Sequence, residues 1–301
     1  MRTHCRLLLI LALAAFCAPV AAAAAELRVA ATIFPLYDLL RQIGGERVEP
    51  FSIVPPGASP HTFAPTPQLL ARIESADAVF AVGLGLDVWI ERALEGGRNG
   101  GPMLLGDRLR QQGLLDTHGD VHGHEGHGEV NPHIWLDPEL LPALVRMIAD
   151  ELMRIDPQGA VQYQANAATL SASLEDLAHR AAERCAPFRG RAIVVVHGAY
   201  SYLCEFLGVE MLVITLSPGA EPSARAMARL VNRARQSGVG AVFREPQLSP
   251  RAAQALAAEL GVPLMVLDPL GEPNTPGRDT LQGLLNFNVE QILTSMERGA
   301  R

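Results

Sequence analysis

Histidine is the residue whose placement in this chain points to chemistry. Four of the nine histidines, His118, His122, His124 and His127, fall in the run HGDVHGHEGH, spaced by Gly, Asp and Glu. Such a run cannot bury enough apolar surface to offset its ordering entropy, which predicts a mobile loop. His133 follows in NPHIWLDP, between Pro132 and the apolar Ile134-Trp135-Leu136, where the chain re-enters a packed domain. A multi-imidazole loop leading to a fixed imidazole suits a protein that handles a borderline-soft metal ion; the plainer reading of the loop is a solvated spacer. His61 sits in PPGASPHTFAPTP, where Pro55, Pro56, Gly57 and Pro60 make a stiff loop that holds one side chain at low entropic cost. His197 directly follows the apolar run VVV, and Asp268 directly follows MVL.

The elements needed to position these groups are legible. Strands are predicted at 27–32, 48–54, 77–82, 103–105, 192–196, 211–215, 239–243 and 264–267. Helices fall between them. Thr66-Pro67 and Ser249-Pro250 read as helix starts, and Gly208, Gly238 and Gly261 as helix stops. Residues 160–184 carry no internal Gly or Pro and predict one long helix of about 25 residues, on the order of 37 Å. Alternating strands and helices with short connections imply an α/β protein with mostly parallel sheets, one per half, covered by helices.

Residues 1–25 read as a secretion signal. Arg2 and Arg6 form the basic start, Leu7 to Phe16 the apolar stretch and Ala18 to Ala25 the cleavage zone. At about ten residues the apolar stretch is too short to span a bilayer, and no later stretch is long and apolar enough. Bulky Phe16 ahead of Cys17 argues for plain secretion into a bacterial periplasm rather than a lipid anchor. The expected organisation is a signal at 1–25, an N-terminal lobe at 26–157, a linking helix at 158–185 and a C-terminal lobe at 186–301. The net charge is −7, every basic residue is arginine, and aromatics make up 5 %. That balance leaves no footprint for nucleic acid. Cys185 and Cys204 are expected to be able to pair in an oxidising compartment.

Ligands of open α/β sheets bind beyond the carboxyl ends of the strands, where His61, His197 and Asp268 are placed, with His133 just past a loop. Two groups from each half predict a metal held in the cleft between lobes, and three imidazoles with a carboxylate suit tetrahedral zinc. Read singly, each group has a bland alternative as a hydrogen-bonded core or surface side chain. Asp268, before Pro269, also fits a turn or helix cap. His179, among Arg and Glu in a helix, reads as solvated.

The blocks GASPHTFAPTP, NPHIWLDP, VVVHGAYSYL, REPQLSP and VLDPLG, in this order, resemble the metal-binding solute-binding proteins of bacterial ABC importers, and within them the zinc-specific branch. The resemblance covers almost all of the chain after the signal. It implies two α/β lobes joined by one rigid helix and one buried Zn²⁺ between them. It also implies delivery to a membrane permease driven by a cytoplasmic ATPase, by a monomeric, non-enzymatic protein. By resemblance the ligands are His61, His133 and His197, with Asp268 matching the DPLG block as the fourth. Manganese-binding relatives are similar to one another in carrying a carboxylate where this chain has His197, and imidazole suits zinc, nickel and copper better than manganese. Many relatives have an acidic residue where this chain has Gly198, which leaves the group that orients His197 open. The alternatives are manganese, nickel or copper binding, and a secreted zinc hydrolase, for which no HExxH or similar signature is present. Coordination by neutral imidazoles also predicts affinity that falls as pH drops through about 6.5.

Overall fold

The computed structural model describes residues 27–94, 100–115, 130–215 and 222–299. The expected signal at 1–25 and the histidine run 118–127 lie outside the described residues. The first half forms one parallel sheet of β1 (Leu27–Ala31), β2 (Val48–Ser52), β3 (Ala78–Ala81) and β4 (Met103–Leu104), in the order β2-β1-β3-β4. The second half forms another from β5 (Ala192–Val195), β6 (Glu210–Val213), β7 (Val242–Arg244) and β8 (Leu264–Val266), in the order β6-β5-β7-β8. The two halves thus share one topology. Parallel sheets covered on both faces need strands apolar at every position, and β3 (AVFA) and β5 (AIVV) are buried throughout. In each sheet the direction of growth reverses at its first strand. A crevice therefore opens at the carboxyl ends of β1 and β3, and again at those of β5 and β7.

The helices pack where the apolar stripes demand. α1 (Phe34–Gly44) and α5 (Leu141–Ile155) lie against α6 (Ala160–Cys185) in the first half, and α10 (Leu281–Gly299) and α7 (Ser201–Leu207) meet α6 from the second. The long helix buries Tyr163, Ala167, Leu170, Leu174, Leu177, Ala181 and Cys185, spaced by three and four, so one stripe runs along a helix on the order of 39 Å long. One continuous core extends from Val29 in β1 through this stripe to Met296 in α10. α2 (Pro67–Glu74) starts as predicted, with Thr66 Oγ1 accepting from the Leu69 N–H at 3.3 Å. α9 (Arg251–Leu260) starts without a side-chain cap from Ser249. At the C-terminus of α7, Gly208 takes a left-handed φ of 70° that ordinary side chains avoid.

Three expectations are corrected. The apolar triplet at 103–105 is a two-residue strand that turns directly into α4 (Leu105–Gln111), whose Leu105 and Leu109 share a buried face. A run that short does not separate strand from helix. The closing helix, which the sequence places at 278–296, begins at Leu281 instead, because Asp38 of α1 accepts the Leu281 N–H at 2.8 Å and caps it from a distance. Cys185 and Cys204 are free thiols, not a disulfide. Burial in the shared core pushes the two thiols up to about 11 and about 12, which suppresses the thiolate that disulfide exchange needs.

Candidate metal centre

His61 lies on the proline-rich connection between β2 and α2, and is half-buried. His133 precedes the single helical turn Ile134–Leu136 and is buried. That turn is anchored by Trp135, fully buried, whose indole N–H donates to the Pro269 carbonyl at 2.6 Å across the two halves. His197 is the second residue beyond β5, buried at the crevice of the second sheet.

The three imidazoles converge. Nε2 of His133 lies 3.3 Å from Nε2 of His61 and 3.3 Å from Nε2 of His197. Among the described residues these three form the group whose ligand atoms all come within 4.8 Å of one another. The other ring nitrogens are held. His133 Nδ1 is 2.6 Å from Asn131 Oδ1, and His197 Nδ1 is 2.7 Å from Glu245 Oε1. The Asn131 oxygen, and the Glu245 oxygen when that carboxyl is ionised, can only accept, so each Nδ1 then carries the proton and each Nε2 presents a lone pair. Lone pairs aimed at one another repel unless a cation lies between them. Tetrahedral zinc with bonds of 2.0–2.1 Å separates its ligand atoms by about 3.3 Å, the spacing of two of these pairs. The surrounding cavity, lined by Ser59, Pro60, Trp135, Gln247, Leu248 and the three histidines among others, measures about 10 Å³. It has room for one ion and none for an organic substrate.

Glu245 supplies what Gly198 does not. It follows β7, on the strand next to β5, and is 2 % exposed. Burial pushes its carboxyl upward; the charge and hydrogen bond of His197 pull it back, and Asp268 adds to the upward push. A carboxylate behind a histidine fixes the tautomer and raises the basicity of the ligating nitrogen. Neither Glu245 nor Asn131 was singled out from sequence, although both stand inside motif blocks, REPQ and NPH. A buried acid just after a strand was the available signal for Glu245.

Asp268 is not in the cluster. Its Oδ1 accepts from Gln247 Nε2 at 2.9 Å and from the N–H groups of Leu270 and Gly271 at 3.0 Å each; its Oδ2 accepts from Arg278 Nη1 at 2.7 Å. Its backbone exchanges two hydrogen bonds with the Asn288 amide. The carboxylate is engaged in closing the turn after β8, which is the turn-residue alternative, and the structure does not bring the expected fourth ligand into the histidine cluster.

Comparison with known proteins accords with this geometry. Residues 29–295 match the family described as zinc-uptake complex component A, periplasmic (ZnuA). The chain belongs to this family. Its members are metal-binding solute-binding proteins of transport systems, not enzymes. The zinc-binding lipoprotein AdcA of Streptococcus pneumoniae (strain ATCC BAA-255 / R6) is 29% identical over 276 residues, covering 89% of this chain and 55% of that protein. The chain spans about half the length of the AdcA relatives it matches. A crystal structure of ZnuA superposes with a TM-score of 0.76 at 29% identity, covering 90% of this chain and 99% of that one. The laminin-binding protein Lmb of Streptococcus agalactiae, described as having adhesin and metal-transporting activity, gives a TM-score of 0.78 at 25% identity over 90% of this chain and 100% of that one. The two-lobed α/β fold expected from sequence is therefore the fold of this ZnuA family member. No helix among its described residues is long and apolar enough to cross a membrane.

Proposed function

We propose that this protein binds Zn²⁺ between its two halves through His61, His133 and His197, in the periplasm, and delivers it as a monomer to the permease of an ABC importer. The observation that carries the reading is the convergence of three Nε2 atoms with 3.3 Å separations, two of them on rings whose far nitrogens are tied to acceptors. Three neutral imidazoles favour zinc over manganese, which prefers harder oxygen ligands. Family membership supports the importer as partner, and the zinc-binding function of AdcA supports the choice of metal. Asp268 takes no part in holding the ion in this reading.

The test is a competition titration of metal-stripped protein with zinc and manganese. One tight zinc site is expected, weakened by more than about 100-fold in each of His61→Ala, His133→Ala and His197→Ala, since loss even of supporting partners costs 10–100-fold. A preference for manganese, or a site indifferent to the three substitutions, would sink the reading.

A further inference from the structure

Asn131 is a buried amide whose side-chain oxygen, side-chain nitrogen and backbone carbonyl are all used, and the uses fall on both halves of the molecule. It is 2 % exposed. On its own side, Oδ1 accepts from the His133 backbone N–H at 3.0 Å and faces His133 Nδ1 at 2.6 Å. Across the interface, Nδ2 donates to the Gly198 carbonyl at 2.8 Å and to Ser201 Oγ at 3.2 Å. The Ser201 hydroxyl spends its own proton on the same Gly198 carbonyl, at 2.9 Å, so it meets Asn131 as an acceptor. The Asn131 backbone carbonyl accepts from the Tyr202 hydroxyl at 2.8 Å.

This pattern settles the orientation of the amide. With the NH₂ group committed to two acceptors of the second half, only the oxygen is left for His133. That oxygen requires the proton on Nδ1 and leaves Nε2 bare toward the cluster. Without Gly198 and Ser201 only the His133 backbone N–H still selects the oxygen, and the amide turns over at the cost of that one bond. Its NH₂ then faces Nδ1 and stabilises the opposite tautomer, in which Nε2 carries the proton and cannot ligate.

We propose that Asn131 is a positioning residue through which docking of the 198–202 segment strengthens the metal-ready tautomer of His133, so that ion binding and apposition of the two halves are coupled. The inference rests on His133 being a metal ligand. By linkage the coupling is reciprocal: an ion at the cluster favours the docked halves, and separation of the halves at this segment weakens the ion's hold.

The test uses substitutions that leave the three histidines in place. Asn131→Ala removes the coupler, and the double variant Ser201→Ala/Tyr202→Phe removes two of its three far-side partners, leaving the Gly198 carbonyl, with small changes in shape. Two quantities are measured: zinc affinity by competition titration, and the ¹⁵N signature of the His133 ring in metal-free protein, which reports the tautomer and which a merely structural weakening leaves unmoved. Wild type is expected to show Nδ1–H. Asn131→Ala is expected to gain the Nε2–H form and to lose about 10–100-fold in affinity, the double variant is expected to shift the same way by less, and adding Ser201→Ala/Tyr202→Phe to Asn131→Ala is expected to cost little more. An unchanged His133 tautomer in Ser201→Ala/Tyr202→Phe overturns the coupling. His133→Ala separates the two failures. Wild-type affinity in that variant refutes the metal site itself, whereas lost affinity there with unmoved Asn131 and Ser201/Tyr202 variants refutes the coupling alone.

Discussion

Two carboxylates of the second half, Glu245 and Asp268, are equally buried at 2 % exposure and do different work. Glu245 backs a converging imidazole, and Asp268 gathers the donors of a turn. Removing Asp268 should therefore be a stability lesion. Asp268→Ala leaves Arg278, Gln247 and two backbone N–H groups without their acceptor and should cost ~3 kcal/mol in urea unfolding, with one tight zinc site retained. Loss of the zinc site at unchanged stability would restore Asp268 as a ligand. The cysteines make a second residue-scale prediction. With thiols pushed up to about 11 and about 12, Cys185 and Cys204 should resist an aromatic disulfide reagent at pH 8 in native protein and both react once it is unfolded. Fast reaction without denaturant, or none with it, would contradict that assignment.

At the scale of elements, helix ends and strand ends do the positioning. The turn carrying His133 runs into α5 through Asp137, whose Oδ1 accepts the Glu139 N–H at 2.9 Å. Burial, opposed by backbone hydrogen bonds and reinforced by Glu139 and Glu205, pushes Asp137 up from 3.8 to about 6. Between those values the folded state holds more protons than the unfolded state, so stability should fall as pH rises through that window and stay reduced above it. Asp137→Asn should abolish this slope and stabilise metal-free protein at pH 7 by about 1–3 kcal/mol. Parallel pH dependences for the two proteins, from urea midpoints at pH 4 and pH 7, would count against it.

At the scale of the whole molecule, the two halves are joined by shared packing as well as by the linking helix. The core is continuous through α6, and buried hydrogen bonds cross between the halves from Trp135 to Pro269, from Leu281 to Asp38 and from Asn131 to Gly198. The amides of Gln42 and Gln282 add a reciprocal pair at 2.9 Å each way. Metal-free protein should therefore unfold in a single calorimetric transition, and zinc in excess of Kd should raise it without splitting it. Two resolved transitions would show that the halves fold separately.

The sequence by itself determined the alternation of strands and helices, the two parallel sheets, the long connecting helix and three of the four groups expected at the centre. These rest on local signals: unbroken apolar strands, Thr66-Pro67 at a helix start, glycines at helix ends, and histidines placed at or just past strand ends or on stiff loops. Tertiary structure alone decided which polar group serves which partner. His197 and Glu245 are 48 residues apart, and Asn131 and Gly198 are 67 apart. Each pair meets only because crossovers bring β5 beside β7 and the first half against the second. Asp268 looked like a ligand from its place after a strand, but Arg278, Gln247 and its own turn claim it once the chain is folded. A buried acceptor takes the donors that packing brings nearest, and that choice is a property of the folded neighbourhood and leaves no mark on spacing along the chain.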